Sequence, residues 1–250
     1  MENPTRVQTR SQTLKPDPNI PPPPPPPTIT TTSSKIPFRP KKRLKLTTIA
    51  KPLSSKPEMD LALHHLSTTD PRLATLVATY DPPSFPSSPP PFPSLARSIL
   101  YQQLATKAAT SIYTRFLSLC GGESQVLPAT LLSLSPQRLR EIGVSARKAS
   151  YLHDLAQKYV DGTLSDDSIL EMDDERLLTM LTLVKGIGAW SVHMFMIFSL
   201  HRLDVLPVGD LGVRKGVQLL YGLKDLPKPV EMEQLCDKWR PYRSEFPLWP

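Results

Sequence analysis

From residue 58 onwards, apolar residues recur every three or four positions with polar residues between them. This spacing is typical of amphipathic helices, and no stretch shows the sustained alternation that indicates a half-buried strand. Helix-start and helix-stop residues divide the pattern: Asp70-Pro71 opens one segment, and Gly121-Gly122 closes another. We therefore predict an all-α domain over residues 58–250.

The first 57 residues lack this periodicity. They include seven consecutive prolines at 21–27, a stretch rich in threonine and serine, and almost no large apolar residues. A segment of this composition buries too little surface to offset the entropy of ordering, so we predict a disordered tail over 1–57. The proline run is either a ligand for SH3 or WW domains or a passive spacer. A second proline-rich stretch, residues 81–93, is predicted to form an extended surface loop.

The net charge of +7 is distributed unevenly along the chain. Residues 1–56 carry eleven Lys and Arg against two acidic residues, a net charge of +9, whereas the remainder carries 19 against 21, or −2. Within the tail, "PKKRLKL" (40–46) is typical of a nuclear-localisation signal, although a solvated charge run has the same composition. We expect a nuclear protein that binds an import receptor through this tail. A basic arm also adds salt-sensitive affinity for the phosphate backbone of DNA.

Cysteine content and apolar run length exclude several classes of protein. Cys120 and Cys236 are too few for a four-thiolate cluster or a Cys-rich zinc site, and we expect them in the core. The longest apolar run, residues 189–200, is too short to span a bilayer, and residues 1–10 lack the apolar core of a secretory signal. We expect no metal, no cofactor and no membrane partner.

The segment "LVKGIGAWSVH" (183–193) joins two predicted helices, which gives a helix–hairpin–helix over about 175–200. Gly186 can end the first helix in a left-handed conformation, and Gly188 allows the next helix to begin at once. A tight connection alone explains both glycines. Backbone N–H groups without side chains at a helix N-terminus can also bind a phosphate. The candidates for that site are Lys185, Gly186, Ile187, Gly188, Ala189 and Ser191.

Several stretches together resemble the HhH-GPD superfamily of DNA glycosylases. "LVKGIGAWS" followed by "DVLPVGDLGVRKGV" is similar to the family's helix–hairpin–helix, its Gly/Pro-rich loop and its aspartate. Four further stretches agree in order and spacing: "DPRLATLV" (70–77), "SILYQQLATKAATSI" (98–112), "IGVSARKASYLHDLA" (142–156) and "WRPYRS" (239–244). The similarity spans about 60–244 and is greatest to the 3-methyladenine DNA glycosylase II branch. It implies the family's helical-bundle fold and a monomer that acts on double-stranded DNA containing alkylated bases, in base excision repair.

The resemblance places the family's catalytic aspartate at Asp210, twenty positions after Trp190. Because Asp210 directly precedes a predicted helix, it can also be a plain N-cap, and the two roles are compatible. When a base–sugar bond breaks, positive charge develops on the deoxyribose. A fixed carboxylate beneath the sugar stabilises that charge and can orient the attacking water.

Trp190 separates two subclasses of the family. Members that also cleave the strand carry a lysine at this position, and tryptophan cannot form a Schiff base, so the resemblance implies a monofunctional hydrolase. In the resembling branch this tryptophan lines the base pocket, where an aromatic face suits an alkylated purine with positive charge. A core aromatic is the alternative. We assign Met194 and Tyr101 to the same pocket.

"YQQLATK" (101–107) is similar to the loop that family members insert into the duplex when the target base is flipped out. Gln102, Gln103 and Leu104 are the candidates for filling the gap. Alternatively, the polar residues of this stretch end a core helix.

The C-terminal residues depart from the family pattern. After "WRPYRS" the family continues into a helix with pocket aromatics, whereas this chain reads "EFPLWP", whose Pro247 and Pro250 are incompatible with a helix. Either Trp249 completes an altered pocket or the pocket is incomplete. Three hypotheses follow: an alkylbase glycosylase, a lesion-binding module without excision, and a related glycosylase for another damaged base. Asp210 favours the first over the second.

Overall fold

A computed structural model describes residues 52–85 and 89–248 of the chain. Over these residues the predicted all-α class is confirmed, with twelve α-helices, three 3-10 helices and no strand. The α-helices are α1 (Lys56–Thr69), α2 (Pro71–Thr79), α3 (Pro91–Tyr101), α4 (Thr106–Cys120), α5 (Pro128–Ser133), α6 (Pro136–Glu141), α7 (Ala146–Val160), α8 (Asp166–Glu171), α9 (Asp174–Thr182), α10 (Ala189–Phe198), α11 (Leu211–Tyr221) and α12 (Pro229–Cys236). The 3-10 helices are Glu123–Gln125, Asp237–Trp239 and Phe246–Leu248.

Local capping explains where these helices begin and end. Asp70 caps α2 by accepting a hydrogen bond of 3.1 Å from the N–H of Arg72, with Pro71 in the first turn. Helix α4 ends at Gly121, which adopts a left-handed φ of 92° as expected for a glycine stop. The start and stop signals in the sequence therefore act as predicted.

The buried side chains form a main cluster, a second cluster and a small third cluster of Leu53, Met59 and Ala62. The main cluster extends from Phe92 on α3 to Val205, which follows α10, and contains the buried faces of α7 and α9. The second cluster joins α1 and α2 to α11, α12 and the last residues, with Trp239 fully buried at its centre. Helix α10 packs against α9 and α3, and α11 packs against α2 and the Phe246–Leu248 turn. The N-terminal ends of α10 and α11 carry the candidate site.

The predicted boundary between tail and domain requires correction. Leu53 is 1% exposed and its N–H donates to the carbonyl of His201 at 3.0 Å, and α1 begins at Lys56. Residues 52–57 thus belong to the folded domain, because one leucine between proline and serine residues is buried by distant parts of the chain. The rest of the predicted tail, with the proline run and the 40–46 segment, lies outside the described residues.

The predicted proline-rich loop at 81–93 is shorter than expected. Helix α3 already begins at Pro91, and the side chain of Phe92 is buried in the main cluster. Proline is tolerated in the first helical turn, where its missing N–H would have no partner. Residues 81–85 and 89–90 have no regular structure, and 86–88 lie outside the described residues.

Both cysteines are buried, as expected for core residues. Burial raises the pKa of Cys120 to about 11 and the pKa of Cys236 to about 12, so neither thiol is ionised at neutral pH. Within the described part of the chain, no cluster of His, Cys, Asp or Glu has the form of a metal site. None of the helices in that part combines the length and apolar character needed to cross a membrane.

Candidate active site and nucleic-acid interface

The turn between α9 and α10 requires glycine at position 186. Gly186 has φ of 80°, in the left-handed region. A Cβ atom at this position would lie 2.1–2.6 Å from ring carbons of Tyr151, so both the conformation and the available space exclude a side chain. Gly188 differs, because its φ is −101° and a Cβ atom there would meet nothing within 4 Å. Gly188 is the N-cap residue of α10.

The N-terminus of α10 presents backbone donors to solvent. The first hydrogen bond of this turn runs from the N–H of Val192 to the carbonyl of Gly188, at 3.1 Å. The N–H groups of residues 189–191 precede it and have no carbonyl partner within the helix. Gly188 and Ala189 are exposed, so these donors and the positive end of the helix dipole face solvent. This arrangement suits a phosphate group.

Two of the six predicted backbone-binding residues use their N–H groups elsewhere. The N–H of Ile187 donates to the carbonyl of Val184 at 3.1 Å, and the Ile187 side chain is buried. The N–H of Lys185 donates to Oδ2 of Asp154 at 2.9 Å, while its ammonium lies 3.5 Å from Oδ1 and stays largely exposed. The N–H groups of Lys185 and Ile187 are therefore not available to a phosphate. The donors at the N-terminus of α10 lie at residues 188–191.

The Asp210 carboxylate is held by donors from two helices. Asp210 is the N-cap of α11, and its Oδ1 accepts a hydrogen bond of 2.8 Å from the N–H of Val213. Its Oδ2 accepts a hydrogen bond of 2.6 Å from Nε1 of Trp190. The capping role expected for Asp210 is therefore present, and it fixes one oxygen while Trp190 fixes the other. Because Trp190 is 53% exposed, it is not a core aromatic.

A cleft of 680 Å³ begins at Asp210 and extends between α10 and α11. Met194 lines it, and so does Phe198, one helical turn later. Trp190, Met194 and Phe198 are four residues apart in turn and share one face of α10. Trp190 itself does not line the cleft, and it meets the cleft through its hydrogen bond to Asp210. The sequence analysis did not include Phe198 among the pocket residues, although this spacing identifies it.

Tyr101 does not line the cleft, contrary to our expectation. Its hydroxyl lies 3.3 Å from Oγ1 of Thr110, and its ring centroid is 5.9 Å from that of Tyr113. The guanidinium carbon of Arg97 lies 5.0 Å from the Tyr101 ring centroid. The side chain is therefore directed onto α4, an orientation set by packing between helices that the sequence pattern does not contain.

The three candidate wedge residues in the loop between α3 and α4 have different environments. Nε2 of Gln102 donates to the carbonyl of Gly186 at 2.9 Å, which attaches the start of this loop to the hairpin. Gln103 has a φ of 54°, unusual for a residue other than glycine, and is exposed. Leu104 is 39% exposed. Gln102 thus has a partner within the protein, and Gln103 and Leu104 form the exposed tip.

The C-terminal residues supply a wall of the cleft. Phe246 and Pro247 both line it, from the short Phe246–Leu248 helix. The Phe246 ring centroid lies 4.8 Å from that of Trp239, and a Cβ atom at Gly216 would come within 3.0 Å of the Phe246 ring. Trp249 lies outside the described residues. The cleft therefore has a closed side here, formed by an aromatic residue that the sequence analysis did not select.

A buried carboxylate positions the far end of α11. Asp70 is 1% exposed and accepts hydrogen bonds from the hydroxyl of Tyr221, from Nε1 of Trp239 at 3.0 Å and from Nζ of Lys238 at 3.0 Å. Burial alone would raise the pKa of Asp70, but these donors and the N–H of Arg72 outweigh it and lower the pKa to about 2. Asp70 thus joins α2 to the end of α11, while Asp210 caps its beginning.

The chain is similar in sequence and in fold to known DNA repair proteins. The matching family model is described as "HhH-GPD superfamily base excision DNA repair protein" and covers residues 96–241. DNA-3-methyladenine glycosylase 1 of Schizosaccharomyces pombe is 34% identical over 184 residues, 72% of this chain and 81% of that protein. A DNA-3-methyladenine glycosidase from Bacillus halodurans has a similar structure, with a TM-score of 0.69 at 34% identity over 79% of this chain and 89% of that one. The structure of Schizosaccharomyces pombe 3-methyladenine DNA glycosylase in complex with abasic DNA is also similar, with a TM-score of 0.64 at 30% identity. The match covers 75% of this chain and 94% of that one. The chain belongs to the HhH-GPD superfamily of base excision DNA repair proteins.

Proposed function

We propose that this protein is a monofunctional DNA glycosylase that flips alkylated bases out of the duplex and hydrolyses their N-glycosidic bond. The product is an abasic site, which is the start of base excision repair. The observation that carries the proposal is the Asp210 carboxylate, fixed by two hydrogen bonds at the end of an apolar cleft and beside an exposed indole. The relatives named above are 3-methyladenine glycosylases, which supports alkylated bases as the substrate class.

Asp210 supplies the negative charge that the reaction needs. As the base leaves, positive charge develops at C1′ of the deoxyribose, and a carboxylate held in place stabilises it without reorganising. The same carboxylate can accept a hydrogen bond from the water that attacks C1′. Both oxygens are already oriented by Trp190 and Val213, so little conformational freedom is lost when the nucleotide binds.

The surroundings of Asp210 suit a cationic, poorly solvated base. Alkylation at N3 or N7 gives a purine a positive charge, and an aromatic face attracts such a ring. Trp190 is the exposed aromatic side chain next to the carboxylate, and Met194 continues the same face of α10. A cationic base is already a good leaving group, so the mechanism needs no strong general acid.

The interface with DNA follows from the hairpin and the loop beside it. The free N–H groups of residues 188–191 would bind a phosphate, and the exposed Lys185 ammonium would add a favourable charge. Gln103 and Leu104, at the exposed tip of the neighbouring loop, would fill the space that the flipped nucleotide leaves. Gln102 joins this loop to the hairpin, so the two elements would engage the duplex together.

The absence of strand cleavage rests on Trp190, which occupies the position of the nucleophilic lysine in bifunctional relatives. One amine, Lys215, does line the cleft, five residues after Asp210. Lyase chemistry through any amine passes through a Schiff base that borohydride traps. With abasic DNA and borohydride we expect no covalent protein–DNA product, and a trapped product would show that the monofunctional assignment is wrong.

We further propose that the protein acts as a monomer in the nucleus, imported through a receptor that binds the basic 40–46 segment. The composition of "PKKRLKL" supports import.

The test of the proposed function is release of bases from methylated duplex DNA by the purified full chain. We expect 3-methyladenine and 7-methylguanine to be released while the strand stays intact until it is treated with alkali. Tight binding to an abasic-site analogue without release would instead indicate a lesion-binding module. Release confined to oxidised or deaminated bases would indicate a related glycosylase with another target.

A further inference from the structure

The cleft at Asp210 is larger than a methylated base requires. Its volume is 680 Å³. Pockets of roughly 300–1,000 Å³ hold drug-sized ligands, and a methyl group adds very little to a flipped purine. Space beyond the base is therefore available inside the same cleft.

That space lies in a defined direction, away from the carboxylate. Asp210 marks the beginning of α11, and Leu219, which also lines the cleft, lies nine residues further along. At 1.5 Å per residue this separation corresponds to roughly 13 Å along the helix axis. On the other side, Phe198 lies at the last residue of α10. The hydrogen bond between Trp190 and Asp210 places the beginnings of both helices together, so Phe198 and Leu219 are at the far end of the cleft.

The far end of the cleft is apolar and partly open to water. Phe198 is 49% exposed and Leu219 is 82% exposed, although both are large hydrophobic residues. Among the described residues that line the cleft, only Asp210 and Lys215 carry a charge. An apolar group placed between Phe198 and Leu219 would remove apolar surface from water on both sides without desolvating an ionised group.

We propose that the cleft accepts purines that carry a large apolar substituent, such as a benzyl group at N7, in addition to methylated purines. The proposal rests on the proposed function. The base lies at Trp190 and Asp210, and the substituent extends towards Phe198 and Leu219. The chemistry is unchanged: a water oxygen forms a bond to C1′, the C1′–N9 bond breaks with its electron pair going to N9, and this neutralises the cationic base. The proton of the water passes to the Asp210 carboxylate and then to solvent.

The experiment uses two duplexes of the same sequence, one with a single 7-methylguanine and one with a single 7-benzylguanine. Single-turnover release is measured for the full chain, for Leu219→Gln and for the double variant Phe198→Gln/Leu219→Gln. Leu61→Gln is the matched control, since Leu61 is a 55% exposed leucine on α1 that does not line the cleft. Thermal melts show whether each variant is folded. Leu219→Gln should fold, because the Leu219 side chain is 82% exposed. The single variant therefore still tests the inference if the double variant does not fold.

The unmodified chain should release both bases, and the ratio of benzylated to methylated release should fall roughly tenfold in the cleft variants, as for a lost contact in an apolar pocket. The control should keep the ratio of the unmodified chain. Release of 7-methylguanine alone would overturn the inference and leave the proposed function intact. A ratio unaffected by the cleft variants would also overturn it. Release of neither base, with no release of 3-methyladenine from methylated DNA, would show that the proposed function itself is wrong.

Discussion

The indole N–H of Trp190 donates a hydrogen bond of 2.6 Å to Oδ2 of Asp210, across twenty residues of sequence. This bond joins the first turns of α10 and α11, and it puts the hairpin that would bind a phosphate next to the carboxylate. A nucleotide bound through its phosphate at residues 188–191 would therefore have its sugar close to Asp210. We therefore expect the tryptophan to act on the proposed chemistry through the position of that carboxylate as well as through its aromatic face.

Trp190→Phe tests the positioning role, because phenylalanine keeps an aromatic face and lacks the N–H donor. A hydrogen bond to a charged group contributes about 1.5–3 kcal/mol, so excision should fall by roughly tenfold or more if the orientation of Asp210 depends on it. The measurement is single-turnover release of 3-methyladenine. Melting should change little, since Trp190 is 53% exposed. Excision equal to that of the unmodified chain would mean that Val213 alone orients the carboxylate.

Gly188→Asp tests the phosphate site at the hairpin. Position 188 has an ordinary φ and open space around it, so the aspartate should fold without strain while placing a negative charge beside the exposed N–H groups. Affinity should fall for every duplex, damaged or undamaged, because phosphate contacts carry no base information. Gly188→Ala is the control and should bind as the unmodified chain does. If Gly188→Asp binds undamaged DNA as tightly as the unmodified chain does, this turn only connects two helices and does not bind a phosphate.

Asp70 predicts a specific dependence of stability on pH. Its pKa is lowered from 3.8 to about 2 in the folded protein, so the ionised form is favoured by folding. The contribution to stability is present above about pH 4 and is lost as the pH falls towards 2. Asp70→Asn should therefore have a lower melting temperature than the unmodified chain at neutral pH. The difference between the two melting temperatures should disappear as the pH falls from 4 to 2. A difference that stays constant over this range would show that the carboxylate charge is not what stabilises the site.

Removal of the tail should change DNA binding and cellular location without changing folding. Deleting residues 1–51 removes ten basic and two acidic residues, a net charge of +8, and leaves Leu53 and α1 in place. We expect the melting temperature to stay unchanged and the DNA affinity to depend less strongly on salt. A fluorescent fusion of the shortened chain should no longer accumulate in the nucleus. Continued accumulation in the nucleus would contradict the assignment of the 40–46 segment.

Features set by local physics could be read from the sequence. Asp210 was identified as an N-cap from a few neighbouring residues, and the structure confirms this cap. Gly186 has the expected left-handed conformation, but it does not end a helix, because α9 already ends at Thr182 and Gly186 lies in the turn that follows. The helices and their periodic apolar faces follow for the same reason. The family resemblance then connected Asp210 with Trp190, which the geometry brings into direct contact.

Features set by long-range packing could not be read in this way. Asp70 meets Tyr221 and Trp239 over separations of 151 and 169 residues, and no local pattern contains these contacts. Phe246 lies in a short segment without periodicity, and its place in the cleft wall is fixed by Trp239 and Gly216. The Tyr101 side chain turns onto α4 rather than into the cleft for the same kind of reason.

The most direct test of the mechanism is single-turnover release of 3-methyladenine by Asp210→Asn. Asparagine has nearly the size of aspartate and is a comparable N-cap, so melting should change little. Only the negative charge is lost, and a preorganised group of this kind is worth about 3–4 kcal/mol, so excision should fall by roughly a hundredfold or more. Asp173→Asn is the matched control, because Asp173 caps α9 with the same geometry and does not line the cleft. The account predicts that Asp210→Asn still binds an abasic-site analogue but hardly excises, whereas excision by a folded Asp210→Asn within a few-fold of the Asp173→Asn rate would mean that Asp210 is only a cap.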